Sequence, residues 1–400
     1  MKSKYNKDIV RELKKIHGIN LSPDHAIKDS SEEKNNIDID DKNSYSFTSK
    51  SYFTFTTISY IIQDFIFSNR CKYMILSDEM RAEYNYDYNK YKQLITKGSI
   101  FFYFNKQLFV YYVDYREYIN RIISNNDVSK IIINIKDHIK NKNPLRKKHL
   151  HLFPHGESIN GSIKKFPEIT FDKVILNDEL KQDIKDNTIF HLQNIKENNG
   201  IILFGPPGTG KSLISMAIIN DAINKGFNTC YLCERVNFEE LDNFVKEFLL
   251  PCIIIFEDID SLGQNRQDVI NIGLSSFLQF INGLSESKDQ IVFVATTNFL
   301  DHLDNAIKER PMRFNRKFEF KYPNNEEIDG LLELYFDKNI KNEFSSICYN
   351  NKFTGSHIKE IKRTATILSL KQNRDIKDVF KKSVDLIKAN FSTTLKKAGF

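Results

Sequence analysis

Apolar positions along this chain change their spacing in a way that divides it into five stretches. Residues 1–50 are polar and charge-rich, with one short amphipathic pattern over 8–16 (Ile9, Val10, Leu13, Ile16) ahead of the hydrophilic run KDSSEEKNNIDIDDKNS. A flexible lead is expected there. Over 51–140 apolar and aromatic density rises, and two β-like runs, SIFFYF (99–104) and LFVYYV (108–113), flank the polar break Asn105-Lys106-Gln107. That pattern predicts a hairpin inside a small α+β N-terminal domain. Residues 141–166 collect Pro, Gly, Ser, His and basic side chains without either period, which predicts a linker with a short extended piece.

Beyond Phe171 the pattern becomes strands alternating with helices. Short β-rich runs at 201–204, 229–233, 252–256 and 291–296 are separated by helical spacing such as 213–224 and 268–284. Alternation of this kind predicts parallel strands with crossover helices, an α/β class with a three-layer parallel-sheet core over 167–323. From 324 to 400 the strands stop, and helical spacing over 325–338, 356–371 and 375–396 predicts a C-terminal helical region.

Composition narrows the class without naming a task. The chain has 400 residues, 40% hydrophobic, 28% charged and 12% aromatic, which excludes collagen-like, coiled-coil-only and fully disordered classes. A formal net charge of +6 leaves nucleic acid possible as a partner but not favoured, since dedicated binders concentrate far more basic charge on one face. Five cysteines cannot all pair within one copy, so free thiols in a reducing compartment are expected. The N-terminus MKSKYNKDIVRELKK reaches no apolar h-region, so no export is expected. The longest apolar stretch, 53–67, carries Gln63 and Asp64 and falls short of the roughly 20 apolar residues of a bilayer span. A cytoplasmic protein with no membrane partner is the expectation.

The sharpest chemical signal is Gly205-Pro206-Pro207-Gly208-Thr209-Gly210-Lys211-Ser212, directly after one apolar run and directly before a helical pattern that opens with Leu213. It matches G-x-x-x-x-G-K-[ST], in which small residues let backbone N–H groups and a helix N-terminus face phosphate oxygens. Lys211 then reaches the β- and γ-phosphates of ATP, and Ser212 offers a hydroxyl to Mg²⁺. A second apolar run ends in Glu257-Asp258-Ile259-Asp260, carboxylates at the end of a strand where α/β folds bind ligand. By position Glu257 is assigned to the Mg²⁺ water shell and Asp258 to orienting the attacking water, the reverse of the usual Asp-then-Glu order. Asp is a methylene shorter than Glu, and a reach error of about 1 Å can cost on the order of 100-fold in rate. A third run ends in Thr296-Thr297-Asn298, which presents an amide suited to holding the lytic water, and Arg310, Arg313 and Arg316 surround Pro311 shortly after.

Together these motifs resemble the AAA branch of the AAA+ ATPases, over about 167–396. GPPGTGKS is the P-loop wording of that family, and ATTN followed by LDNAIKERPMRFNR is similar to its second region of homology. The resemblance implies a P-loop AAA+ core with a helical lid, Asn298 as sensor 1, and Arg310 and Arg313 as arginine fingers reaching the ATP of a neighbouring subunit. It implies a homo-oligomeric ring, with a hexamer expected, and a dependence of hydrolysis on assembly. The segment FEFKYP (318–323) is similar to the last core strand and hinge, Phe353-Thr354-Gly355-Ser356-His357 to the sensor 2 turn, and 171–176, with Val174 and Ile175, to the segment that packs against adenine. Within the family, EDID and KGSIFFYFNKQLFVYYVDYRE resemble the branch containing the mitochondrial AAA translocase that assembles respiratory complex III, without its membrane helix. No aromatic-hydrophobic-Gly tripeptide lies between 229–233 and Glu257, so threading of a peptide through a pore is not implied; Phe238 and Phe244 are expected to be core aromatics.

Other signals carry less. Cys230 and Cys233 form a lone C-x-x-C on a predicted strand, and buried strand cysteines are the expectation. His149, His151 and His155 have only Glu157 as a nearby acid, and Arg146-Lys147-Lys148 reads as solvated linker. Three functions remain open at this point: a ring ATPase that remodels a protein client or complex through its N-terminal domain, a DNA-associated ATPase in replication, defence or phage biology, and an assembly switch set by ATP.

Overall fold

A computed structural model describes residues 44–47, 52–68, 71, 73–84, 91–124, 126–143, 145–155, 158–164, 167–232, 236–259, 277, 279–280, 290–302, 314–336 and 338–397. The 8–16 pattern, Cys233, most of 268–284, and Asp260, Arg310 and Arg313 lie outside these residues. Two compact units emerge, one from the described residues up to Ile163 together with 236–250, the other from 164–232 and 251–397.

The first unit is built on an antiparallel sheet of β1 (Ser44–Phe47), β2 (Tyr73–Tyr84), β3 (Tyr91–Phe104), β4 (Gln107–Asp114) and β5 (Ile119–Ser124), in the order β1-β5-β4-β3-β2. The expected hairpin is β3–β4, with Phe104 opposite Gln107. Asn105 and Lys106 both take positive φ, 48° and 64°, as a two-residue turn matching the strand twist requires. Helix α1 (Tyr52–Ser68) contains the long apolar stretch, and Phe55, Ile58, Ile61, Ile62 and Ile66 are fully buried. Its polar Gln63 has a specific duty. The β3–β4 register stops at Lys97 and Asp114, and beyond it Gln63 accepts the Ile95 N–H at 3.0 Å and donates Nε2 to the Ile95 carbonyl at 2.8 Å. No helix among the described residues is long and apolar enough to cross a membrane.

Helix α2 (Ser129–Lys142) follows, and then the stretch read as a linker folds into an antiparallel hairpin of β6 (His149–His155) and β7 (Ser158–Ile163). Leu150 and Leu152 are buried at period two, but the interleaved His149 and His151 count as polar in a pattern and mask the strand. The rings of His149 and His151 meet edge to face at 5.1 Å, and burial with the neighbouring imidazole lowers the His149 pKa to about 3. Among the described residues no group of three or more His, Cys, Asp and Glu could hold a metal ion.

The second unit opens with α3 (Asp178–Lys185), a wide turn at Asp186–Phe190 and α4 (His191–Asn194), then β8 (Asn199–Phe204), α5 (Lys211–Asn224) and β9 (Asn228–Leu232). The chain next contributes α6 (Phe238–Phe244) to the first unit, where Phe244 packs on Phe53 and Phe248, and Phe238 is also buried. It returns with β10 (Cys252–Phe256), β11 (Ile291–Thr297) and β12 (Arg316–Glu319). Within this unit the strands are all parallel, in the order β12-β8-β11-β10-β9. One face, with Ile201, Leu203, Ile253, Ile255, Val292 and Val294, packs on Ile214, Ala217 and Ile218 of α5. The other face turns Phe256 and Phe293 toward Phe277, Phe280 and Phe314, which completes three layers. Cys230, Cys252 and Cys348 are buried, and Cys71 is half-buried.

The helical end of the chain holds four helices: α7 (Asn325–Tyr335), α8 (Lys338–Asn350), α9 (Gly355–Gln372) and α10 (Ile376–Lys397). Phe344 of α8 stacks on Phe380 of α10 at 3.9 Å in a shared core with Ile328, Leu332, Ile358 and Ile361. The pattern over 325–396 predicted three helices and omitted α8, although Phe344 and Cys348 stand four apart and are both buried.

The Gln63 clamp predicts that Gln63→Leu keeps the helix but leaves two buried backbone groups unpaired. Urea unfolding of the variant should show a loss of about 2 kcal/mol or more; an unchanged midpoint would mean that Ile95 finds other partners.

Candidate active site

The strand order assembles the site. Because β11 lies between β8 and β10, the carboxyl ends of these three strands are side by side, and the segments that follow them share one edge of the sheet. From β8 comes the loop 205–210, from β10 Glu257 and Asp258, from β11 Asn298.

The loop is shaped by glycines at three positive φ values: Gly205 at 141°, Gly208 at 77° and Gly210 at 106°. Gly205 shows why a side chain is excluded. A Cβ there would lie 2.1 Å from the Phe320 carbonyl, while the Phe320 N–H donates to the Phe204 carbonyl at 2.7 Å and ties the strand end down. Pro206 is partly buried and Pro207 exposed, and Thr209 closes the turn by donating Oγ1 to the Pro206 carbonyl at 2.8 Å. Gly210 caps α5, and a Cβ on it would meet nothing within 4 Å, so this approach to the helix N-terminus is open. Lys211 is buried, and its ammonium donates to the carbonyls of Gly205 at 2.7 Å and Pro206 at 2.9 Å. Ser212 and Leu213 are exposed on the first turn of α5.

Across from the loop, Glu257 accepts from Tyr231 Oη at 3.1 Å. Burial raises its carboxyl above the ordinary range; hydroxyl hydrogen bonds from Ser212, Tyr231 and Ser215 counter this, and the nearby Asp258 charge adds to the rise. Asp258 is exposed and takes φ of 52°, its N–H donating to Thr296 Oγ1 at 3.0 Å and its Oδ1 accepting from Asn298 Nδ2 at 3.3 Å. The structure thus brings Lys211, Ser212, Glu257, Asp258 and Asn298 to one edge. Such a set can bind a polyphosphate, hold a hard cation through oxygen donors and orient a water.

With this geometry in view, residues 201–322 match the family described as ATPase family associated with various cellular activities (AAA). Residues 201–322 thus form an AAA-family ATPase domain. The chain is similar to the ATP-dependent zinc metalloprotease FtsH of Mycoplasma genitalium, 30% identical over 217 residues that cover 49% of this chain and 30% of that protein. It is also similar to the cell division cycle protein 48 homolog of Archaeoglobus fulgidus, 28% identical over 249 residues, 56% of this chain and 33% of that protein. ATPase family AAA domain-containing protein 2 of Homo sapiens matches at 30% over 208 residues, 46% of this chain and 15% of that protein. The chain thus spans a third or less of the length of these relatives. Among solved structures, the FIGL-1 AAA domain in complex with ADP aligns with a TM-score of 0.46 and 16% identity, covering 56% of this chain and 86% of that chain.

Within the second unit the helical end touches the loop directly. A Cβ on Gly208 would lie 2.6 Å from Thr354 Oγ1 and 2.8 Å from Ser356, and the Ser356 N–H donates to the Gly208 carbonyl at 3.4 Å. Val174 is buried in the α/β core, whereas its neighbour Ile175 packs on the helical core, within 3.2 Å of a Cβ built on Gly330. Both therefore stand where core and lid meet. Sequence reasoning missed Tyr231, Ser215 and Thr296. Tyr231 and Thr296 stand near strand ends beside the acids, a signal that strand register would have revealed.

His357 starts the lid helix α9. Its Nδ1 accepts the Thr354 N–H at 3.1 Å, which requires that nitrogen unprotonated, and burial lowers the imidazole pKa below its ordinary value. The unfolded chain binds a proton near pH 6.5 that the folded chain resists, so stability is lost as pH falls through that value. Thermal melts from about pH 7.5 to 5.5 should show the wild type losing more than His357→Gln, which keeps the acceptor without the titration; parallel curves would contradict this.

Proposed function

We propose that this protein is a Mg²⁺-dependent ATP hydrolase that works as a ring of six copies, with each ATP lying between neighbours, and that it remodels a protein or protein complex. The observation that carries the reading is the convergence of a P-loop lysine, a hydroxyl-bound half-buried acid and an amide-bound exposed acid on one sheet edge. Names among the relatives, "ATP-dependent" in one and "ATPase" in another, support hydrolysis rather than binding alone. The relatives' AAA domains belong to longer proteins, so the client is argued from this chain itself.

In this reading Gly205, Pro206, Pro207, Gly208, Thr209, Gly210, Lys211, Ser212 and Leu213 line the triphosphate, and Val174 and Ile175 flank the base. The Lys211 ammonium exchanges two loop carbonyls for phosphate oxygens, a charge-assisted gain over neutral acceptors. Ser212 and Glu257 fit Mg²⁺, since a hydroxyl and a half-buried carboxylate held by hydroxyl groups form an oxygen-donor pair that suits a hard ion keeping several waters. When bound, that ion neutralises charge on the β- and γ-phosphates. Asp258, held by Asn298, orients a water for in-line attack on the γ-phosphate and accepts its proton. Arg310 and Arg313, outside the described residues, are assigned to the neighbour's ATP, where such groups are worth roughly a thousandfold or more in rate. The first unit selects the client. Free thiols at Cys71 and Cys348 support a cytoplasmic setting.

Lys211→Ala should abolish ATP turnover and weaken ATP binding in a direct binding assay; a wild-type rate would remove the P-loop assignment. Arg313→Ala should keep ATP binding and lose hydrolysis, and mixing it with Asp258→Asn protein should recover part of the rate, because the interface in which the Arg313→Ala copy binds ATP and the Asp258→Asn copy donates the arginine has both groups. No recovery at any ratio would count against action between subunits. Unfolding of a tagged protein substrate supports remodelling, whereas turnover stimulated by DNA, with binding that falls steeply with salt, would replace it with a nucleic-acid role.

A further inference from the structure

The two acids after β10 stand in the order Glu257-Asp258, so the outer position, from which a water would be oriented, carries the shorter side chain. The backbone at that position is also unusual. Asp258 takes φ of 52°, a left-handed conformation that side chains other than glycine adopt rarely, Asp being among the more tolerant. Something must hold it there. The β10–β11 pairing ends with Phe256 opposite Ala295, and past that point the Asp258 N–H is taken by the Thr296 hydroxyl at 3.0 Å instead of by a ladder carbonyl. Thr296 is only 2% exposed and sits in the all-buried strand β11, so its hydroxyl is an anchored acceptor rather than a mobile surface group. On the other side of the turn, Asn298 Nδ2 reaches the Asp258 carboxylate at 3.3 Å.

Building on the ATP hydrolase reading above, we propose that Thr296 is a positioning residue for hydrolysis: its hydroxyl locks the left-handed turn that aims the short Asp258 carboxylate. Thr296 touches neither the phosphates nor the water; it acts through the Asp258 backbone, while Asn298 sets the side chain. The cost of a left-handed non-glycine residue and the worth of one hydrogen bond are of similar size, so loss of this single acceptor is enough to release the turn. Valine has the shape of threonine without the hydroxyl and stays compatible with a buried strand, whereas serine keeps the hydroxyl.

The test is steady-state ATP hydrolysis by the full chain, alongside equilibrium binding of a fluorescent ATP analogue. Thr296→Val should lower kcat roughly 10- to 100-fold, the scale of a misaimed catalytic group, with KM and analogue affinity changed by less than about twofold. Thr296→Ser should restore most of kcat. A Thr296→Val protein as fast as wild type would overturn the inference. So would a fall in analogue affinity that tracks the fall in kcat, since that reports a damaged site rather than a misaimed acid, and so would a Ser variant as slow as the Val variant. A wild-type chain without turnover, or one indifferent to Lys211→Ala, is a separate result that removes the hydrolase reading itself.

Discussion

Strand β11 pairs with β8 on one side and with β10 on the other, and this parallel ladder is the constraint from which the site follows. Residues 205–212, 257–258 and 298 are far apart in the chain, yet the ladder leaves their positions at the sheet edge little freedom. Each strand is buried on both faces, so slipping one by a residue would turn apolar side chains such as Ile254 and Val294 to the wrong layer. Register is therefore set by the core, and the chemistry inherits its precision. Gly205 adds the one local requirement that packing cannot meet by itself, because the loop must leave β8 so close to the Phe320 carbonyl that no side chain fits.

The electrostatics of the site are balanced internally, and unequally. Lys211 rests its charge on two backbone carbonyls, which are neutral acceptors that phosphate oxygens outcompete. Glu257 is the opposite case, a carboxylate lifted by burial and restrained only by hydroxyls. Hydroxyl dipoles offset desolvation less well than a cation does, and Asp258 beside it worsens the balance. A buried ammonium after β8 and a half-buried carboxylate after β10 thus face the same edge of the sheet on either side of β11.

Much of this was legible in the sequence where a local rule matched the three-dimensional one. Apolar runs marked β8 to β11 within a residue or two, because strands buried on both faces read as continuous hydrophobic segments. The last core strand lies at Arg316–Glu319, earlier than FEFKYP suggested, since β12 is at the edge of this unit's parallel strands and alternates Phe318 with exposed neighbours. The glycine loop 205–212 was plain because it matches a motif of fixed spacing between an apolar strand and a helix. What escaped notice depends on partners distant in sequence. The hairpin β6–β7 hid behind the histidines interleaved with its leucines, and the membership of 236–250 in the first unit behind its position between two strands of the second, while α8 carries Ile340, Phe344, Ile347 and Cys348 at helical spacing and was legible but passed over. Tyr231 and Thr296 look like ordinary strand residues until the register sets them beside Glu257 and Asp258.

Contacts between core and lid bear on how the site and the helical end communicate. At one, the Asn177 N–H donates to Glu327, whose carboxylate also accepts from Asn324 in the capping box of α7, and Ile175 packs against Gly330 of the same helix. At another, Gly208 lies against Thr354 and Ser356 at the start of α9. The first contact involves the segment that precedes the core strands; the second involves the phosphate loop itself. At Gly208 the approach to α9 is already too close for a methyl group. The lid core, held by the Phe344–Phe380 stack, resists bending within itself. The loop side and the helical end are therefore joined at two points, Gly208 against the start of α9 and Ile175 against Gly330 of α7, so a side chain added at either glycine would press the α/β core and the helices apart.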